Sequence, residues 1–189
     1  MAMRACVAVL LLALCAPSGW SAEIANHPTK WSVYFSPRGG CTEAVVEALG
    51  RARSTVLVQA YSFTSAPIAK ALVEAHRRGV KVVVVLDRSQ RTEKYSSATF
   101  VRNEGIPCFI DAQHAIAHNK VMVIDGLTVI TGSFNFTKAA EDNNAENLLL
   151  IQDTQMAVKY AKNWEVHWQH SEPYTGLPGH DQPRKRNRQ

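Results

Sequence analysis

The segment His118-Asn119-Lys120-Val121-Met122-Val123-Ile124-Asp125 holds the side chains of this sequence best suited to chemistry, and Gly132-Ser133-Phe134-Asn135 follows with six residues between. The run from Lys120 is apolar and β-branched, so it reads as a strand, and side chains alternate between its faces. His118 and Lys120 then share one face with Met122 and Ile124. An imidazole, which changes protonation near neutral pH, stands beside a fixed ammonium charge. A nucleophile or general acid next to a cation suits a phosphate diester. Asp125 has the opposite parity and precedes Gly126. Asp-Gly is a strong hairpin signal, so Asp125 reads as a supporting turn residue rather than a third reacting group.

The elements that must position this segment read as an α/β fold. Residues 31–36 form a first strand, and Thr42 is placed to cap a helix through Val45, Val46 and Leu49. Residues 55–60 form a strand leading into Tyr61-Ser62-Phe63-Thr64. Ser65 opens a helix with Pro67 in its first turn and Gly79 beyond its end. Residues 80–86 are almost all β-branched, as in a strand covered on both faces. This β-α-β-α-β rhythm predicts parallel pairing. The loop 87–94 leaves the carboxyl end of that strand, where open α/β sheets bind ligands. Its Arg88, Arg91 and Lys94 are candidate substrate contacts. A helix over 95–103 and a strand over 106–110 follow. Residues 119–124 and 128–131 form a hairpin across Asp125-Gly126, and 147–151 form a further strand. Asp153 caps a last helix whose Met156, Tyr160, Trp164 and Trp168 recur at helical spacing and read as core. His167 and His170 on that helix read as surface or packing residues.

The 189 residues suffice for one domain with a sizeable core. A formal charge of +5 and a pI near 9.1 favour anionic partners. Arg4 followed by the apolar run Cys6 to Ala16 and a break at Pro17-Ser18-Gly19 reads as a signal peptide over residues 1–22. Export to the periplasm or beyond is therefore expected, with no stable membrane anchor after cleavage. Cys41 and Cys108 remain as an even pair in an oxidising compartment. A disulfide between them and two buried free thiols are equal readings. From Ser171 the chain turns polar, and residues 173–189 read as a basic, unstructured tail ending in Arg184-Lys185-Arg186-Asn187-Arg188.

The pattern H-x-K-x4-D, six residues, then G-S-x-N resembles the signature of the phospholipase D superfamily, met here by His118, Lys120, Asp125, Gly132, Ser133 and Asn135. Residues 59–64, 132–141 and Glu146-Asn147 are similar to the small bacterial endonucleases of that superfamily, the Nuc type, and the resemblance spans 31–170. It implies a phospholipase D-like fold over residues 23–172: a mixed, mostly parallel sheet flanked by helices. One motif per chain implies a homodimer with a shared active site. By the same resemblance His118 forms a phosphohistidine and its symmetry mate is the acid, then the base. Lys120, Ser133 and Asn135 hold the phosphoryl oxygens, and Glu146 orients the His118 ring. Asp125 and Gly132 carry the motif structurally. No metal and no cofactor are implied. A zinc site from Cys108, His114 and His118 is a rival reading of the same region. It is disfavoured because the segment around His118 reads as strand, which leaves His114 an ordinary loop histidine.

Nucleic acid is the expected substrate, DNA first and RNA as the second form. Contacts to phosphates would give little sequence specificity, and the family's cleavage leaves a 5′-phosphate. The alternatives are a phospholipase D-type lipid phosphodiesterase and a catalytically silent nucleic-acid-binding protein.

Overall fold

The computed structural model describes residues 29–176. In chain order the elements are β1 (Lys30–Ser36), α1 (Cys41–Arg51), β2 (Thr55–Ala60), α2 (Ala66–Arg77) and β3 (Lys81–Asp87). A single 3-10 turn (Arg88–Arg91), α3 (Ala98–Asn103), β4 (Cys108–Asp111), β5 (Lys120–Ile124) and β6 (Thr128–Gly132) follow. The chain then forms α4 (Lys138–Asp142), β7 (Glu146–Gln152), α5 (Thr154–Gln169) and the short β8 (Glu172–Pro173).

The strands make one mixed sheet in the order β1-β7-β6-β5-β2-β3-β4-β8. Parallel pairing is confined to β2–β3 and β3–β4, and the other five pairs are antiparallel. The sheet is therefore mixed, as expected, but not mostly parallel. The β-α-β rhythm stops after β4: β5 and β6 join through the tight Asp125-Gly126 turn, and β7 returns between β6 and β1, antiparallel to both.

Helices cover both faces. Val56, Val58, Ala60, Met122, Ile124, Ile130 and Leu148 pack with α1, α2 and α3 in the main core. On the other face α5 covers Val121, Val123 and Val129 with Ala157, and Val83 and Val85 with Trp164. Trp164 is buried, and its Nε1 donates to the Val58 carbonyl at 2.8 Å. Trp168 stacks on Trp164 but stays partly exposed, so the aromatic stripe is core only in part.

Three local expectations are revised. Gly40, at φ +82, precedes α1 in place of a Thr42 cap. The Glu141 carboxylate accepts from Gly40 N at 3.2 Å and Thr42 N at 2.7 Å, a distant anion meeting the positive helix end. Residues 95–97 stay outside α3, which begins at Ala98. The fold also runs past residue 172: Pro173 lies in β8, and Tyr174 is buried with its N–H on the Cys108 carbonyl and its hydroxyl 2.8 Å from Thr99 Oγ1. The expected signal segment over 1–22 and the basic run 184–188 lie outside the described residues.

Cys41 and Cys108 are free, buried thiols. Cys41 opens α1 just after β1, whereas Cys108 opens β4, six strand positions away in the sheet. That is roughly 29 Å at the usual strand spacing, far beyond disulfide reach. Burial, with Glu141 and Glu43 nearby, pushes the Cys41 thiol up to about 11, and burial pushes Cys108 up to about 12. Neither is a reactive thiolate at neutral pH.

Candidate active site

Antiparallel pairing brings the start of β5, the end of β6 and the start of β7 to the edge of the sheet where β2 and β3 end. Lys120 lies opposite Ala60, Gly132 opposite Leu148, and Glu146 opposite Ser36. His118, Lys120, Ser133, Asn135 and Glu146, far apart in sequence, therefore collect at one edge.

The segment after β2 ties these pieces together. Tyr61 N donates to the Asn119 carbonyl at 2.8 Å, and the N–H groups of Thr64 and Ser65 both donate to the Phe136 carbonyl. Phe63 bridges to Phe136, and Phe63, Phe134 and Phe136 are fully buried beneath the edge. Alternation then turns Ser133 and Asn135 away from that apolar floor. Gly132 is required by close approach. It sits at φ +142, and a Cβ there would lie 2.3 Å from the Asn147 carbonyl oxygen. That carbonyl accepts from Ser133 N and Phe134 N, while Ser133 Oγ accepts from Asn147 N at 3.0 Å and Nδ2 at 3.2 Å. The Ser133 O–H remains available to donate. Asn135 Oδ1 is buried without a hydrogen-bond partner among the described residues.

His118 is exposed and Lys120 buried. The Tyr61 ring lies between their roles: its centroid is 4.6 Å from that of His118 and 5.1 Å from Lys120 Nζ. Lys120 Nζ donates to the His118 carbonyl at 3.0 Å. Burial lowers the Lys120 pKa, opposed by the negative charge of Glu146. A partly desolvated ammonium is a stronger partner for a phosphoryl oxygen than a solvated one. Glu146 accepts a hydrogen bond from Asn144 Nδ2 at 3.2 Å, and among the described residues none joins it to the His118 ring. Its place at the start of β7, opposite Ser36 and two residues before Leu148, sets it at this edge, and its charge opposes the lowering of the Lys120 pKa.

Asp125 lies at the other end of β5, roughly 16 Å from Lys120 at the usual rise per residue. Asp125 and Gly126 both have positive φ, and Leu127 N donates to the Ile124 carbonyl, as a type I′ hairpin turn requires. The Asp125 carboxylate accepts from Arg53 N, Ser54 N, Ser54 Oγ and Thr55 N at 2.8–2.9 Å. Burial raises its pKa, but the donors from Thr55, Ser54 and Arg53 outweigh burial and the net shift is downward. It fastens the entry to β2 and stays remote from the chemistry. A groove of about 1040 Å³ beside it, lined in part by Trp31, Arg51 and Arg53, is open and contains none of the residues gathered around His118.

The basic loop is divided. Arg88 and Lys94 are exposed, and Lys94 lies 5.6 Å from the Tyr95 ring centroid. Arg91 pairs with Glu172 at 2.7 Å, an exposed ion pair that a phosphate would have to compete with. The loop is fixed to the site by Asp87, which is buried and accepts from Ser89 N at 2.9 Å and Ala117 N at 2.7 Å, one residue before His118.

Sequence reasoning missed two features. Tyr61 carried no chemical signal beyond its place in the family-like flank. The second is a cluster in which His114, His167 and His170 converge on Asp111. His167 and His170 are mostly buried there, not surface residues, and His114 partners Asp111 rather than Cys108 and His118. The faint signal was spacing: Asp111 and His114, like His167 and His170, are three apart.

Comparison with known proteins agrees with this geometry. Residues 45–168 match the family described as "Cardiolipin synthase, PLD-like domain". A Rickettsia typhi protein named Phospholipase D is 46% identical over 133 residues, covering 70% of this chain and 65% of the relative, so the chain spans just under two thirds of that relative's length. The Mitochondrial cardiolipin hydrolase of Xenopus laevis is 35% identical, covering 69% of this chain and 62% of the relative. The crystal structure of a phospholipase D family member, Nuc from Salmonella typhimurium, superposes with a TM-score of 0.74 at 39% identity, covering 77% of this chain and 98% of that one. The chain belongs to the phospholipase D superfamily, a class of phosphodiesterases. Within that class it is similar to the family member Nuc, and the present sequence carries one H-x-K motif, at His118 and Lys120.

Proposed function

We propose that this chain is an exported, metal-independent endonuclease that cleaves DNA, and RNA as a second substrate, through a phosphohistidine in a homodimer. The observation that carries the reading is the exposed His118 beside the buried, partly desolvated Lys120, with Ser133 and Asn135 at the same sheet edge.

A neutral His118 ring nitrogen attacks phosphorus, so a P–N bond forms and the P–O bond to the leaving 3′ oxygen breaks. His118 of the partner subunit gives that oxygen its proton. Water then attacks phosphorus and passes a proton to the same imidazole, and the P–N bond breaks to leave a 5′-phosphate. Lys120 from each subunit neutralises the phosphoryl oxygens, and the Ser133 hydroxyl and Asn135 add hydrogen bonds. Glu146 holds the His118 ring once substrate or the partner subunit closes the site. Dimerisation is supported by the single motif and by Trp31, Val33 and Phe35, which are exposed at alternate positions of edge strand β1. Nucleic acid is favoured by the +5 charge and the exposed Arg88 and Lys94.

The test is nicking of plasmid DNA in excess EDTA by wild type and His118→Ala, at a temperature where both stay folded. The expected result is cutting by wild type only, with DNA binding retained by the variant. Cutting lost in EDTA by folded wild type overturns the metal-independent mechanism. The names of the Rickettsia and Xenopus relatives favour a second reading, a lipid phosphodiesterase. Hydrolysis of cardiolipin or phosphatidylcholine vesicles without DNA cutting would establish it. Binding of DNA without hydrolysis of either substrate would leave the catalytically silent reading.

A further inference from the structure

The Asp111 cluster has no part in the chemistry above, yet it is the densest group of metal-ligating side chains among the described residues. Asp111 ends β4 and its carboxylate is fully buried. His167 Nδ1 lies 2.7 Å from Asp111 Oδ2, His114 Nδ1 is 2.9 Å from Oδ2 and 3.1 Å from Oδ1, and His170 Nε2 is 3.2 Å from Oδ1. Gln113 N also donates to Oδ1 at 3.1 Å. The ring centroids are 4.8 Å apart for His114–His167, 5.3 Å for His114–His170 and 5.5 Å for His167–His170. One potential ligand atom from each of the four residues falls within 4.8 Å of all the others.

We propose that Asp111, His114, His167 and His170 form a structural site for one divalent transition-metal ion, zinc by its chemistry. Three imidazoles and a carboxylate are the nitrogen and oxygen donors that zinc takes in a closed four-coordinate site. The edge of a tetrahedron with bonds near 2.0 Å is about 3.3 Å, and each imidazole already stands within that distance of an Asp111 oxygen. A network of hydrogen bonds alone accounts for the cluster less well. The His170 Nε2 atom is buried and reaches no hydrogen-bond geometry despite its 3.2 Å approach.

The ligands come from three places: the end of β4, the connection into β5, and the last turn and C-cap of α5. A metal would tie the carboxyl end of α5 to the segment that delivers His118 four residues later. This role is stabilisation of the fold, with no contact to the reacting phosphate, so folded metal-free protein is still expected to cut DNA. It therefore stands or falls separately from the nuclease reading.

The experiment uses untagged protein stripped with chelator, dialysed, and titrated with Co2+ and with Zn2+ alone. The expected result is one ion per chain, visible Co2+ absorption of tetrahedral intensity displaced by Zn2+, and a Tm raised by on the order of 10 °C at saturating zinc. A His167→Gln, His170→Gln double variant should lose the absorption and the Tm rise, with a metal-free Tm close to that of metal-free wild type. If the double variant does not fold, His114→Gln, at a half-exposed ligand, should weaken uptake at least tenfold. Wild type that takes up no stoichiometric metal, or variants that bind as wild type does, would overturn the site and leave a hydrogen-bonded carboxylate cage.

Discussion

Asp125 provides the sharpest separation of motif from mechanism. It is the last residue of the H-x-K-x4-D pattern, yet it sits at the far end of β5 from Lys120. The substitution to make is Asp125→Asn. Asparagine tolerates the φ of +55 at this turn and can keep an oxygen facing Ser54 N and Thr55 N. Its amide NH2 must then face Arg53 N, now 2.9 Å from Oδ2, so one bond becomes a donor–donor clash and the others lose charge assistance. Hydrogen bonds to a charged group contribute about 1.5–3 kcal/mol each when well shielded. These donors are partly exposed, so screening reduces the sum to about 2 kcal/mol. For a domain of this size that lowers Tm by roughly 4–8 °C.

The pH dependence has a definite sign. The Asp125 carboxyl is depressed in the fold, so its contribution is present above the unfolded value near 3.9 and is lost as pH falls toward the lower folded value. The Tm gap between wild type and variant should therefore be full at pH 7 and narrow below about pH 4. Cleavage per folded molecule should stay within about twofold, because roughly 16 Å of strand separates Asp125 from the site. Calorimetry from pH 3 to 7 and plasmid nicking at 25 °C measure both. A variant with wild-type Tm and no cleavage would refute the structural assignment and return Asp125 to the catalytic set.

Lys120→Met should reduce turnover by about 10²–10³-fold with little loss of DNA binding, because the ammonium acts on charge in the transition state; single-turnover rates against binding isotherms separate the two. Arg88→Ala and Lys94→Ala should each weaken DNA binding across sequences and shrink the salt slope by about one. Arg91→Ala should change it less, because Glu172 already holds that guanidinium. Trp164→Ala should cost about 3–5 kcal/mol in urea unfolding, since it empties the α5 packing and removes the indole hydrogen bond to the Val58 carbonyl.

Much of this molecule was legible in its order of residues. Parity along 118–125 alone put His118 with Lys120 and turned Asp125 aside. Asp125-Gly126 announced a hairpin that pairs Met122 with Ile130, because only positive φ at both positions closes so tight a turn. Local periodicity and turn chemistry act over a few residues, and these readings needed nothing longer. Gly132, Ser133 and Asn135 were marked instead by the resemblance to the phospholipase D signature.

Tertiary structure decided what depends on which strands become neighbours. β7 returns between β1 and β6, which brings Glu146 and Asn147 to Gly132 and Ser133 and makes the sheet more antiparallel than the early rhythm implied. The same order carries Cys41 and Cys108 apart, so an even number of thiols did not make a pair. It also lays the last turn of α5 over the end of β4, where His167 and His170 meet Asp111, 56 and 59 positions earlier in the chain. Taken singly, each of those histidines looked like an ordinary surface or loop residue. Convergence on one buried carboxylate is a property of the assembled sheet and helix, and no stretch of the sequence contains it.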